Sequence, residues 1–480
     1  MVSMKRLPIL AVLGLVSCAE VPQTPSPTLL RVEAPIELTT SIQADWPATN
    51  WWEHYHDATL TTLIEQALQI SPTLAITEAR LNQAKKMIQI TAAQQGLQVN
   101  AYADVARQRL SDNGMIPPKF LGFHWYDQAD LGIRASYRFD WWDKERSALT
   151  AATNDAYVAQ AERNEAALQI SSAIAMAYIG WQGDQAQISY TQEQLSLVEQ
   201  RKHILQTRVD AELDSADGLY TLDLERATLG EFLLSMKTSS ELRRILMASL
   251  LGISVEKLPQ LFVHKLPQAG CQLPTNVSVD LLARRADIDA RQWQVKAAQQ
   301  RLRVARAEFM PDITVNALAG FSSIDIEKLL KANSAVPSIG LAVHLPIFDA
   351  DQLRAQFGVR AAELETTIRM YNATVVDAAT DVANQAMKMQ RLSELQEERK
   401  AQVEAATQLL MLAKQRKEQG LIDIRSTLQA EQNVQQQQAA LNAATTEALI
   451  AEIEMTAALG GGYYRDVNTT NVALKMTPIL

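Results

Sequence analysis

Asp349 to Gln419 reads DADQLRAQFGVRAAELETTIRMYNATVVDAATDVANQAMKMQRLSELQEERKAQVEAATQLLMLAKQRKEQ, a stretch with no proline and a single glycine, Gly358. Small and apolar side chains recur at three- and four-residue spacings: Leu353, Phe357, Ala361, Leu364 and Ile368, then Val375, Ala379, Val382, Ala386 and Met389. Gln, Glu, Lys and Arg, all good helix formers, fill the positions between them. The spacing predicts one helix of about 70 residues, roughly 100 Å long at about 1.5 Å per residue. Such a length belongs to a coiled coil, a fibre or the wall of a tube, because helices of globular domains usually stop within about 20 residues.

A second stretch has the same character. Asp143 to Ala211 has no proline, and its only glycines are Gly180 and Gly183. Each long run follows a short alternating segment that ends in Phe-Asp, Phe139-Asp140 in one case and Phe348-Asp349 in the other. The far ends, Arg208 to Asp214 and Arg416 to Ile422, keep the same offset to within one residue. Further helical runs then close at Leu251-Gly252 and Leu459-Gly460. Landmarks that stay in step at three separate points indicate a tandem duplication. The expected layout is a signal peptide over 1–17 and a tether over 18–50. A first repeat covers 51–258, a crossing 259–279, a second repeat 280–462 and a tail 463–480.

The chain begins with Lys5 and Arg6, an apolar run from Leu7 to Val16, and then Ser17-Cys18. This pattern is a secretory signal, too short to serve as a membrane-spanning helix. Small residues lead into Cys18 and a proline-rich tether follows, so Cys18 is the expected lipid-attachment residue of a bacterial lipoprotein. Ala19, which is not aspartate, favours sorting to the outer membrane. At about 0.8 kcal/mol per buried CH₂, a multiply acylated cysteine is a firm anchor. The only other cysteine, Cys271, leaves no disulfide to staple the fold. A net charge of −9 gives no basic patch for nucleic acid. No later stretch has the 18 or so apolar residues of a spanning helix. Any crossing of a membrane must therefore be made by strands.

Four strand-like runs meet that requirement. Val99 to Gln108 alternates weakly. Leu131 to Asp140 alternates cleanly, with Ile133, Ala135, Tyr137 and Phe139 on one face and Arg134, Ser136 and Arg138 on the other. The second repeat supplies a run at Ile313, Val315, Ala317, Ala319 and Phe321, and another at Ile339, Leu341, Val343, Leu345 and Ile347. A run of about 9–10 residues is what a tilted strand needs to cross a bilayer. Four strands cannot close a barrel, and open edges are not tolerated in lipid. The chain is therefore expected to be an obligate oligomer that pools its strands. Asp349, followed by Gln352, fits a capping box at the start of the long helix, and Asp140 and Asp143 offer the same kind of cap to the first one. No glycine-rich phosphate loop or set of histidines at metal spacing is present. His54 and His56 lack a third fixed ligand, so neither catalysis nor a cofactor is expected.

Several of these segments carry a family resemblance. Trp51-Trp52 with Asp57, Leu60, Leu63-Ile64 and Ala67-Leu68 resembles the opening of the outer-membrane efflux factors, the TolC-like channel proteins, in their NodT-type lipoprotein branch. Asp280 to Ile288 is similar to another family segment, in which proline often stands at the position of Ala286. Ala305 to Pro311, Pro346 to Asp349, Tyr371-Asn372, Arg416 to Gly420 and Ala458 to Gly462 extend the resemblance, which runs from about residue 46 to 464. It implies a mainly α fold with a membrane β-barrel contribution. In that fold a homotrimer shares a twelve-stranded barrel, four strands per subunit, above a periplasmic tube of long antiparallel helices. The turns containing Glu212, Leu213 and Asp214, and Gly420, Leu421 and Asp423, resemble the periplasmic tips that receive a membrane-fusion adaptor protein. The implied supplier of substrate is an inner-membrane pump, usually of the resistance-nodulation-division type. Arg425 and Gln429 are the implied pore-lining candidates. Gln429 departs from the family's common aspartate, Glu212 stands where the second repeat has Gly420, and Gln98 stands where it has Pro311. A lipid-anchored, non-conducting spacer that bridges envelope layers would share the long helices but should lack the four strand runs.

Overall fold

The computed structural model of the chain describes residues 28–33, 45–115, 117–267, 270, 277–346 and 350–464. The signal segment, Cys18, Cys271, Asp349 and most of the tether and tail lie outside the described residues. In chain order the elements are α1 (Ala58–Ile70), α2 (Pro72–Gln94), β1 (Gln98–Arg109), the one-turn α3 (Pro118–Leu121), β2 (Trp125–Phe139), α4 (Lys144–Asp210) and α5 (Asp217–Leu251). They continue with α6 (Val277–Arg284), α7 (Ala286–Ala307), β3 (Asp312–Ser323), β4 (Ser338–His344), α8 (Ala350–Glu418) and α9 (Ile424–Ala458). The fold is mainly helical with four antiparallel strands, and α4 and α8, of 67 and 69 residues, match the two long runs closely. The first helical run of the chain is not continuous. It breaks at Ser71, where ψ turns to 127°, and Pro72 restarts it at the first helical position, where a missing N–H costs nothing.

The chain divides into two compact units, and α2, α4, α7 and α8 each contribute residues to both. The first unit, containing 82–158 and 291–370, holds the sheet, in the order β1-β2-β3-β4. Its register pairs Ala101 with Ile133, Ile133 with Ala319, and Ile313 with Val343, so residues of one parity share a face across all four strands. Val99, Ile133, Tyr137, Ile339, Leu341 and Val343 on the apolar face are exposed. Among the described residues β1 and β4 each pair on one side only, and the sheet has two open edges. A small apolar cluster of Ala305, Phe309 and Phe357 fastens α7 to the start of α8 in the same unit.

The second unit, containing 30–81, 159–290 and 371 onward, holds the main core. Trp51, Trp52, Leu60, Leu63 and Ile64 pack against Ile174, Tyr178, Trp181, Met247, Leu449 and Ile453, most of them with almost no accessible surface. Asp57 explains its own place in that motif: one carboxylate oxygen caps α1 by accepting from the N–H of Thr59 and Leu60, and the other accepts from the Tyr178 hydroxyl at 2.8 Å. The segment entering α7 is fixed in a similar way around Arg285, whose guanidinium pairs with Asp287 at 2.6 Å and donates to the carbonyl of Ala458. Ala286 is the first residue of α7, the position where proline is favoured, so alanine keeps the same backbone.

Candidate functional site

Two helix-to-helix turns in the second unit carry the candidate docking and pore residues, and they share one hydrogen-bond pattern. At the first, the N–H of Glu212 bonds the carbonyl of Val209 and the N–H of Leu213 bonds that of Arg208. At the second, the N–H of Gly420 bonds the carbonyl of Lys417 and the N–H of Leu421 bonds that of Arg416. These paired bonds form a Schellman motif, which requires a left-handed residue just past the helix. Gly420 supplies it at φ 71°, and Glu212 adopts the same conformation at φ 60°. A Cβ at Gly420 would meet no atom within 4 Å, so the demand at that position is conformational rather than spatial.

After the turns the two tips diverge. Asp423 is the N-cap of α9 and accepts from the N–H of Arg425 at 3.2 Å, whereas Ala216 before α5 offers no side-chain cap. Leu213 and Leu421 are both exposed, as are Tyr220 and Leu224 on the following turns of α5. Charged groups join the tips. Asp214 accepts from the Arg208 Nε at 2.6 Å and from an Arg425 terminal nitrogen at 3.0 Å. The Arg425 Nε also donates to Asp423 at 2.7 Å. Hydrogen bonding from Arg208 holds the Asp214 carboxyl below the usual carboxylate range, and hydrogen bonding from Arg425 does the same for Asp423. Arg425 is raised in turn, mainly through its hydrogen bond to Asp423. Arg425 is therefore a half-buried cation flanked by two carboxylates, and Gln429, one turn on, is exposed. One layer back from the tips, the Arg201 guanidinium bridges Glu225 of α5 and Gln432 of α9. Both this bridge and the Asp214–Arg425 pair link residues more than 200 positions apart, which periodicity cannot reveal.

Asp140 and Asp143, the two expected helix caps among the described residues, lie in the first unit. Asp140 accepts from the N–H of Glu145 at 2.9 Å and of Arg146 at 2.8 Å, satisfying two free donors of the first turn of α4. Asp143 has a positive φ of 54° and its side chain pairs with Arg146 at 3.4 Å. Arg138 at the end of β2 bridges Glu145 at 3.0 Å and Asp312 at 3.3 Å, tying both hairpins to the helix start. Gln98, at the start of β1, donates its side-chain amide to the carbonyl of Ala93 at 2.7 Å and so closes the end of α2. Pro311 accepts instead from the Trp142 indole at 2.9 Å. Among the described residues no three metal-ligating side chains converge.

The family model for outer membrane efflux proteins matches residues 63–237 and 277–461. The multidrug resistance outer membrane protein MdtQ of Escherichia coli is 29% identical over 442 residues, covering 89% of this chain and 91% of that protein. MdtP of the same species, also a multidrug resistance outer membrane protein, is 28% identical over 445 residues, covering 91% of this chain and 90% of the relative. The solved structure of the Vibrio cholerae outer membrane protein VceC superposes with a TM-score of 0.78 at 29% identity, covering 87% of this chain and all of that one. The Campylobacter jejuni CmeC outer membrane channel has a TM-score of 0.83 over 95% of this chain and 98% of its own, and at 18% identity it speaks for the fold alone.

Proposed function

We propose a function that proceeds from one premise: the chain belongs to the outer membrane efflux protein family. It acts as the outer-membrane channel of a tripartite efflux or secretion system, a passive conduit rather than an enzyme. Three copies pool their strands into a twelve-stranded barrel. The long helices form the tube that leads to it from the periplasmic side, and the two repeats are the halves of each subunit. Lipid on Cys18 anchors the N-terminus. The tips at Glu212 to Asp214 and Gly420 to Asp423 receive a periplasmic membrane-fusion adaptor, with an inner-membrane pump, of the resistance-nodulation-division type, behind it. Drugs and similar small molecules are the proposed cargo, in keeping with the relatives named for multidrug resistance.

The observation that carries this reading is the sheet. Among the described residues its apolar face is uncovered and its two edge strands lack outer partners. In water such a surface is an aggregation hazard. In lipid it is the required outer wall, provided further strands close the edges. Exposed apolar residues at both tips support docking of a partner there. The spacer alternative would leave the sheet unexplained. Purified protein added to a planar lipid bilayer is expected to give discrete conductance steps. A folded, oligomeric protein that inserts and never conducts would favour the spacer.

A further inference from the structure

The polar face of the sheet has an uneven distribution of charge. Nearest the helices, Arg138 is neutralised by Glu145 and Asp312. Two positions before it on the same face of β2 lies Ser136, and two before that lies Arg134, which is exposed and has no carboxylate in ion-pairing distance among the described residues. Its guanidinium instead lies over the Tyr102 ring, 4.1 Å from the centroid. Four residues further toward the loops, Asp104 and Asp130 stand directly opposite each other in the β1–β2 register. Gln128 donates to Asp130 at 3.0 Å, and neither aspartate has a cation paired with it among the described residues.

Glycine builds the platform that holds Arg134. Gly132 lies opposite Tyr102 on one side and Gly320 on the other. A Cβ at Gly132 would come within 3.0 Å of the Tyr102 ring and 2.9 Å of the Ala319 carbonyl, and one at Gly320 within 2.6 Å of the Leu131 carbonyl. The two glycines therefore leave a notch across which the tyrosine ring lies, and a cation over an aromatic face is held there by the ring quadrupole.

We propose that Arg134, laid on Tyr102 over the Gly132–Gly320 notch, is a specificity-determining charge of the passage. It biases the helix-side half of the barrel toward anions, while Asp104 and Asp130 bias the loop-side half toward cations. Fixed charges of opposite sign in series make the passage rectify ion flow. The inference rests on the shared-barrel reading above, in which three chains place three copies of Arg134 at one level of the lumen. Tyr102 is a positioning residue that keeps the guanidinium near the wall.

The test uses the full chain, in planar bilayers, with current–voltage curves and reversal potentials in KCl gradients. The wild type is expected to rectify at about 0.1 M salt and to lose the asymmetry at about 1 M, where the screening length falls to roughly 3 Å. Arg134→Glu should raise the potassium-to-chloride permeability ratio about twofold or more at low salt, the screened effect of three reversed charges at one level of the lumen. Arg134→Gln should abolish most of the rectification. Tyr102→Phe should behave as the wild type, and Tyr102→Leu should weaken the rectification without changing oligomer mass. Arg134→Glu channels of normal oligomer mass with unchanged permeability ratio and asymmetry would overturn the inference and leave the barrel standing. A wild-type protein that gives neither channels nor oligomers would overturn the barrel reading itself, and the role of Arg134 with it.

Discussion

The two tips close their long helices with the same backbone turn, built from different residues. Both close with the same pair of hydrogen bonds around a left-handed residue, yet one uses Gly420 and the other Glu212. A non-glycine residue in that conformation carries about 1 kcal/mol of strain or more. The second tip also has a cap, Asp423, that the first lacks at Ala216. The difference shows that the turn is specified by the helices it joins as much as by its own residues. It also places the better-built turn between α8 and α9, and the turn between α4 and α5 is held partly by its neighbour through Asp214 and Arg425.

The comparison can be broken most sharply at Gly420. Gly420→Val puts a β-branched residue at φ 71° and should destabilise the second turn by about 2 kcal/mol. Faster amide hydrogen exchange at position 420 and at Leu421, with exchange in the four strands unchanged, is the expected reading. Loss of protection throughout the sheet would mean that the tip is not an independent unit of stability.

The reciprocal change sharpens it. Glu212→Gly relieves the strained φ but loosens the unfolded chain, so a net gain of at most about 1 kcal/mol is expected. Gly420→Glu should cost about as much as Glu212 now does, on the order of 1 kcal/mol. Slower exchange at Leu213 in the first variant and faster exchange at Leu421 in the second would establish the equivalence. A first tip that loosens on gaining glycine would show that the Glu212 side chain itself holds the turn.

A smaller effect is expected where the tips meet. Asp214→Asn and Arg425→Gln should be non-additive in a double-mutant cycle, because each removes the other's partner, though the pair's partial exposure to water keeps the coupling modest. Strict additivity would mean that the two tips act independently.

Acid should produce the slightest change. Asp214 and Asp423 have lowered pKa values, so their ion pairs are intact above the ordinary aspartate value of about 3.9 and are lost as pH falls through the lowered ones. Exchange at the tips should thus be constant from neutral pH down to about 4, once corrected for the intrinsic rate, and should rise only below it. A transition near pH 6 would point to a different titrating group.

Much of the fold is legible in the sequence for physical reasons that particular residues display. The long helices end within a residue or two of their expected bounds, because runs without proline that close on Gly420, or on the matching Arg208 landmark, leave little freedom. The strand runs are visible because the side-chain period of two places Ile133, Tyr137 and their partners on one face, but β2 begins at Trp125, six residues before its expected run at Leu131. Strand β4 is shorter than its alternating run, stopping at His344 before Leu345 and Pro346, because proline has no N–H to give to a ladder. The break at Ser71–Pro72 was written in the proline but masked by the continuing helical period. The ionic contacts of the tips were not legible. Asp214 and Arg425 come together only when two hairpins fold side by side, and no local pattern encodes such a meeting. Likewise nothing in the side chain of Glu212 announces a positive φ. That conformation is imposed by the ends of α4 and α5.

The central claim is that three chains share one barrel, and the mass of the detergent-solubilised protein tests it most directly. The expected result is a particle of three chains after subtraction of bound detergent, with the strand signal retained in its circular dichroism. A folded monomer with that strand signal intact would contradict the claim, because its two open sheet edges would then be stable on their own.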